Sequence, residues 1–362
     1  MDDVWANVCA YYDNAQMHAD GGVRGTDTWM PLGYDFNLSF GQWYYGDIAK
    51  GTLDGLVADQ DWYKSHPFYG GNRVLCYKNS AMSSVVNSGN DGFEAVLQSA
   101  KFRRLYLRRL RTLMDAELKE PGTPEAEVPF MAKMREMADL MRSDAALDQE
   151  KWPNDSSDDK IDVWAESGTR PANIDRAIDE IWSDYVEPRR EHLYVTHSAT
   201  NTAREIGYGS EYIAGIPDAQ SPLAVLAPNI AIANLEEVPA EAAAHGVKPL
   251  FRDADVCVIT NGNAEAVDMS GWTLSGAVAW TLPAGTVCDA FDCLYVVRDR
   301  RAFVAAHESE LADQVIVGNV PAKKWGSGEI ALADAEGSTV CQYDAFSPDE
   351  AYSLLSSTIA GR

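Results

Sequence analysis

Long hydrophobic runs are missing from this chain. No apolar stretch approaches the roughly 20 residues that a helical bilayer crossing needs, so membrane insertion is not expected, although 46% hydrophobic residues are ample for packed cores. Basic side chains are scarce. Against 30 Lys and Arg stand 55 Asp and Glu, a formal net charge of −25. The deficit is shared: residues 1–222 hold 22 basic and 36 acidic side chains (net −14), residues 223–362 hold 8 and 19 (net −11). Such a field repels phosphate backbones and anionic lipid, which argues against nucleic acid or a membrane surface as the main partner and leaves divalent cations as guests. Cysteine is sparse too, with 6 in the chain, and no two have the C-x-x-C spacing of a zinc ribbon. Cys288 and Cys293, flanking Asp-Ala-Phe-Asp, are placed to staple a hairpin. Cys257 and Cys341 lie in strand-like runs and are placed to pair across a sheet. Buried free thiols in a reduced compartment fit the same spacing equally well. The opening MDDVWAN is acidic and lacks an apolar core segment, so no signal peptide is expected there.

What is present falls into two parts, the default for 362 residues. In the last third, DMSGWTL from Asp268, WTLPAGTV from Trp280, LYVV from Leu294, VIVGN from Val315 and GEIALADAEGSTVCQY from Gly328 alternate apolar and polar residues between Gly and Pro punctuation. Period-2 runs of this kind predict a β-sandwich with Trp272 as its aromatic anchor. No nucleophile, base or ligand cluster lies within them, so this part is expected to bind or display rather than catalyse.

The first 222 residues carry helical periodicity. From Ser99 to Leu118, the residues Phe102, Leu105, Tyr106, Leu110, Leu113 and Met114 recur at helical spacing, and the arginine-rich opposite face is expected to be solvated and salt-bridged. Thr123-Pro-Glu opens a second helix with an N-cap and Pro at the first position. Its stripe is Val128, Met131, Met134, Ala138 and Met141, expected as core packing rather than a methionine ligand box. Asn173 caps a third helix through Ile174, Ile178, Ile181, Trp182 and Tyr185, interrupted at Pro188. A helical bundle is thus predicted over roughly 94–197. Between helices, Asp155-Ser-Ser-Asp-Asp-Lys is a polar loop without the Gly and closing Glu of a calcium-binding EF-hand.

One acidic constellation precedes the bundle. Asp13 and His18 are followed by WMPLGYDFNLSFG, an apolar strand ending on Asp35-Phe-Asn37 and then a Gly. A carboxylate at a strand end with a second oxygen ligand two residues on suits Mg²⁺ holding a nucleotide phosphate. By spacing alone, a turn whose polar residues satisfy their own backbone fits better.

Two resemblances add to this reading. The stretch from DMSGWTLSG through CLYVVRDRRAF to GEIALADAEGSTVCQY resembles the lamin-tail domain, an immunoglobulin-like sandwich of nuclear lamins and many bacterial surface proteins. WMPLGYDFNLSFG resembles the strand-end element of CotH-type atypical protein kinases. SAKFRRLYLRRLRTLMDAEL, MADLMRSDAALDQEKW and IDEIWSDYVEPRREHL are similar to later helices of that family. IPDAQ at 216–220 resembles the linker that joins such a domain to a lamin-tail domain. The resemblance implies Asp13 as catalytic base and Asp35, Asn37 and His18 as metal ligands. His18 stands where the family has Asn, and Asn37 replaces an Asp; neutral ligands hold Mg²⁺ less tightly than carboxylates.

The expected fold class is therefore α+β multidomain: the helical C-terminal part of an atypical kinase-like domain followed by an immunoglobulin-like β-sandwich. The expected boundaries are 1–200 kinase-like, 201–228 linker, 229–346 lamin-tail-like and 347–362 tail, with 223–362 folding alone. The chain starts just before the Asp13 element, so the lobe that clamps ATP is expected to be missing from it, and ATP is expected as a cofactor only if an upstream lobe exists. Weak Mg²⁺ binding and a degenerate, inactive kinase are expected of this chain. A full-length form would resemble a secreted or surface bacterial Ser/Thr kinase of coat proteins, with protein or cell-envelope partners. From another class comes a carbohydrate-binding reading, with Trp43, Tyr44, Tyr45, Trp62 and Tyr63 as a stacking platform, although such aromatics more often pack domains.

Overall fold

The computed structural model describes residues 8–13, 16–17, 23–24, 28–33, 99–151, 173–202, 215–233, 256–307, 314–321 and 324–343. Helices and sheets occupy separate stretches of the chain, an α+β arrangement. Contacts divide it into two units. One takes Met1–Cys9, Leu32–Arg103 and Leu110–Asp218; the other takes Ala10–Pro31, Arg104–Arg109 and Ala219–Arg362. Beside the 223–362 expected from sequence to fold alone, the second unit takes in Ala10–Pro31 and the helical segment Arg104–Arg109.

Near the start, β1 (Val8–Asp13) pairs with β4 (Thr28–Gly33), and β2 (Gln16–Met17) forms a hairpin with β3 (Val23–Arg24). The first long helix, α1 (Ala100–Leu113), begins where the Ser99 hydroxyl accepts from the Phe102 N–H. A wide turn, Met114–Leu118, closes it, and Lys119 takes a positive φ of 57° beyond.

In the first unit, Glu125–Glu127 forms a tight turn and α2 (Pro129–Lys151) follows. Pro therefore does open this helix, but it is Pro129 and not Pro124, since a proline without its N–H is accommodated only in the first turn. The next helical run comprises α3 (Ile174–Glu180), a wide turn Ile181–Val186, α4 (Glu187–Glu191) and a second wide turn His192–Thr196. Pro188 does not end it. The i→i+5 turn just upstream gives the ring room, and the chain stays helical. Asn173 caps α3 as its sequence position predicted. Val128, Met131, Ala138, Ile178 and Val186 form the core here, with Met134, Ile174, Ile181, Trp182 and Tyr185 packed on it. Met141, assigned to the same stripe from sequence, is exposed instead, as are Met137, Leu140 and Leu147.

Arg190 is fully buried. Its guanidinium donates to the carbonyls of Lys119 (3.0 Å), Glu120 and Thr123 (3.2 Å) and to Glu187 Oε2 (2.5 Å). A buried cation persists only when paired and hydrogen-bonded in this way; here it fixes the turn after α1. Part of the expected linker is also anchored. Ile216 is buried and exchanges 2.7 Å backbone hydrogen bonds with His197 and Ala199. Gly215 packs so closely that a Cβ would lie 2.5 Å from the Ala199 backbone.

In the second unit, α5 (Leu223–Leu226) leads into β5 (Ile230–Ala233), β6 (Val256–Asn261), β7 (Val267–Asp268), β8 (Thr273–Val278), β9 (Trp280–Thr281), β10 (Val287–Cys288) and β11 (Asp292–Val297). Then come α6 (Arg300–His307), β12 (Val315–Gly318), β13 (Trp325–Ala333) and β14 (Thr339–Tyr343). One four-stranded sheet has the order β12-β11-β6-β5, the other β14-β13-β8-β9, and β7 pairs with β10. Residues of both sheets share one apolar core, including Ile259, Leu294, Val296, Leu274, Leu332 and Trp272. Trp272 is 5% exposed, as its anchor role predicted. The turn before it places Gly271 at φ 76°, and the Trp272 N–H donates to Met269 O.

Period-2 alternation sets the faces. Cys257, Ile259, Leu294 and Val296 point into the shared core, while Tyr295 faces Phe303 of α6, ring centroids 5.8 Å apart. The helix α6 was not expected from sequence. It starts at Asp299, whose carboxylate accepts from the Ala302 N–H, and Asn319 Oδ1 receives the Arg300 N–H. It carries the chain from β11 to β12, which pair in parallel; parallel neighbours need a crossover, and a helix supplies it.

Candidate functional site

The constellation singled out in the sequence falls mostly outside the described residues. Asp13 is the last residue of β1, and β4 ends at Gly33, two positions before Asp35. His18, Asp35 and Asn37 lie outside the described residues, as do Trp43, Tyr44, Tyr45, Trp62, Tyr63 and the loop from Asp155. Among the described residues, no group of three His, Cys, Asp or Glu side chains is arranged to hold a metal.

The charged arrangement that the structure does describe is built on α1. Its apolar residues were expected to face inward and its arginines to form a solvated, salt-bridged face. Met114 is buried as expected, but Phe102, Tyr106 and Leu113 are exposed, while Arg108 and Arg111 are buried along with Leu107. The physical reason is the supply of carboxylates. Arg104, Arg108 and Arg109 belong to the second unit, and each meets an acid from a strand end or turn of that unit. Arg104 grips Asp289 in a fork, with Nε at 3.0 and 3.1 Å from the two carboxylate oxygens and Nη2 at 2.5 Å. Arg108 Nη2 lies 3.3 Å from Glu265 Oε2. Arg109 Nη1 lies 3.0 Å from Asp268 Oδ2. Planar guanidinium suits such partners better than a lysine ammonium would. The hydrogen bond to Asp289 raises the Arg104 pKa, with the Asp289 and Asp292 charges adding to it and burial opposing.

The acids are fixed from behind. Asp268 Oδ1 accepts from the Ser270 N–H (3.0 Å) and hydroxyl (2.5 Å), and its own N–H donates to Gln220 Oε1 (2.7 Å). Ser270 in turn accepts from the Gly285 N–H. Asp289 accepts from the Ala290 N–H. Its carbonyl receives Asn261 Nδ2 (2.8 Å), which also reaches the carbonyls of Glu265 (2.9 Å) and Cys288 (3.3 Å). Asn261 Oδ1 accepts from the Asn263 N–H and amide, and Asn263 Oδ1 from Asn229 Nδ2. Asn261 and Asn263 are buried, and this amide network ties three stretches of chain together, with its members hydrogen-bonded to one another and to backbone carbonyls. Cation and anion are thus both occupied. In the array each of the three carboxylates has a guanidinium partner.

A second polar cluster lies in the first unit. Arg111 Nε sits 2.9 and 3.0 Å from the Asp115 oxygens, its guanidinium stacks 4.7 Å over the Tyr194 ring, and Tyr194 donates to Asp115 (3.1 Å). Burial first, and Asp115 next, push the Tyr194 phenol well above its ordinary value, so it stays protonated and donates. Arg111 also reaches the Pro217 carbonyl at 3.4 Å.

Among the described residues, Cys257, Cys288, Cys293 and Cys341 are free thiols. Cys288 lies in the shared core, and its S–H points to the Asp292 carbonyl at 3.6 Å. Cys293 meets Tyr295 Oη at 3.6 Å on the α6 side. The hairpin staple is therefore not formed, because the two side chains belong to opposite faces of the strand layer.

No protein-family model matches this chain, and no curated protein matches it.

Proposed function

We propose that this chain carries the helical C-terminal part of a CotH-type kinase-like domain and a lamin-tail-like, immunoglobulin-like sandwich, and serves as a binding or structural module of the bacterial surface or envelope. The carrying observation is the use made of the arginines on α1. This is the helix whose sequence resembles the kinase family, yet Arg104, Arg108 and Arg109 are committed to Asp289, Glu265 and Asp268 of the lamin-tail-like part. Cations held on protein carboxylates are not available to phosphates. Two four-stranded sheets around one core, with Trp272 inside it, support the lamin-tail-like reading.

The reading assigns little chemistry to Asp13, His18, Asp35 and Asn37. Phosphoryl transfer depends on positioning and on electrostatic clamping of the phosphates, and two of the four positions depart from the family pattern. In a molecule of net charge −25 the field attracts cations and repels ATP. Its partners are proteins or envelope components, in a full-length form that is secreted or surface-located. The test is calorimetric titration of the chain with MgCl₂ or MnCl₂, in the presence and absence of ATP. The expected result is weak divalent binding, reduced by Asp35→Ala and not tightened by ATP. Tight binding that appears only with ATP would show a working nucleotide site and overturn the reading.

A further inference from the structure

Cys257 and Cys341 come from different sheets and meet inside the same core. In β6, Cys257 lies opposite Val296 of β11, which is fully buried between the sheets. In β14, Cys341 lies opposite Leu332 of β13, also fully buried in that core. Both sulfur-bearing side chains thus stand on inward positions of their strands. The edges are neighbours as well: β5 borders β6 in one sheet, β14 ends the other, and the Cys341 thiol meets the backbone of Ile232 in β5. Ile232 pairs with Ile259, two residues along β6 from Cys257 on the same face. The Cys257 and Cys341 thiols lie near enough that ionising one would disfavour ionising the other.

We propose that Cys257 and Cys341 are partners in an inter-sheet disulfide that forms while the sheets are closing in an oxidising compartment. The chemistry is thiol–disulfide exchange with a small disulfide such as oxidised glutathione. One cysteine thiolate attacks the small disulfide, forming a protein mixed disulfide and expelling one small thiolate. The second cysteine thiolate attacks the protein sulfur of that mixed disulfide and expels the other. Two protein thiols are oxidised, one small disulfide is reduced to two thiols, and the two protons pass to the leaving thiolates.

The fold sets the timing. In the closed sheets, burial pushes the Cys257 thiol up to about 12 and the Cys341 thiol to about 11. Thiolate, the attacking species, is then on the order of 10⁻⁴ of the thiol or less at neutral pH. Cys257 is moreover only 2% exposed, inside the shared core and out of reach of a small disulfide, so a chain that folds reduced stays reduced, and a chain that meets oxidant before closure is bridged across a loop of about 84 residues (341 − 257). In the folded unit Cys288 Sγ is directed to the Asp292 carbonyl and Cys293 Sγ to Tyr295 Oη.

The test is to express the full chain in a reducing bacterial cytosol and, with a secretion leader, in an oxidising periplasm. Each product is alkylated with N-ethylmaleimide in denaturant, and peptides are mapped without reduction. Periplasmic protein is expected to yield a linked peptide pair containing Cys257 and Cys341, and to melt roughly 10 °C above the same sample after reduction. Folded cytosolic protein, exposed to oxidised glutathione for hours, is expected to remain alkylatable at both positions and to form the bridge only after unfolding and refolding in that buffer. The proposal is overturned if folded periplasmic protein carries the alkyl label on both cysteines, or if either is linked to a different cysteine.

Discussion

Asp268 is the carboxylate on which the arginine array can be tested most sharply. Its side chain is 1% exposed, against 27% for Arg109. Replacing it with Ala leaves the Arg109 guanidinium, the Ser270 N–H and the Ser270 hydroxyl without their acceptor. Removing one partner of a buried pair costs about 3–5 kcal/mol, so Asp268→Ala is expected near that range. Arg109→Ala should cost less, about 1–3 kcal/mol, because Ser270 still holds Asp268 and the guanidinium is partly solvated. In the double variant the two losses overlap, and the coupling energy should be on the order of 1–3 kcal/mol. Urea unfolding of the full chain, followed by tryptophan fluorescence, measures all four corners of the cycle. Lys133–Glu136, a pair more than half exposed at both ends, gives the control, with an expected coupling of about 0–0.5 kcal/mol. Raising the salt should erase the control coupling and leave most of the Asp268–Arg109 term. If the Asp268–Arg109 coupling falls to the control value, the arginine face of α1 is solvated and the account of the array is wrong.

Trp272→Ala should cost roughly 3–5 kcal/mol, because the indole fills the core between the two sheets; a melting temperature within a degree or two of the parent would place Trp272 at the surface. Gly276→Ala should cost about 2–4 kcal/mol, since Gly276 has φ 87° and a Cβ would lie 2.1 Å from the Glu329 carbonyl oxygen. For that variant, unchanged thermal unfolding would show that β8 and β13 do not approach as closely as described.

The strands of the second unit were largely legible in the sequence. Alternation around Leu294–Val297 and Gly328–Tyr343, with Gly and Pro at the turns, is a local signal, and the burial of Trp272 followed from it. The face of α1 was not legible. Phe102, Tyr106 and Leu113 look like a core stripe, and the arginines read as salt-bridged but solvated, whereas Arg108 and Arg111 are buried. The carboxylates that reverse this lie 157 to 185 positions away, and helical periodicity does not register a partner at that range. The hint available was the clustering of Glu265, Asp268, Asp289 and Asp292 around the ends of predicted strands. α6 was missed because eight residues carry little periodicity; its Asp299 cap was the usable sign. Pro188 misled because a proline reads as a stop, whereas the wide turn upstream lets the helix run through it. Of the chemistry-bearing residues, the structure gives a backbone position for Asp13 alone, at the end of β1.

The central claim is that this chain is a module of recognition or structure and does not transfer phosphate. Incubating it with γ-radiolabelled ATP and Mn²⁺ or Mg²⁺, beside an Asp13→Ala variant and with a generic acceptor protein, tests that claim directly. The account predicts no label above background on the chain or the acceptor, and no difference between the two proteins. Label transferred by the parent chain and lost in Asp13→Ala would contradict it, and would mean that Asp13 works as a base in a complete phosphotransfer site.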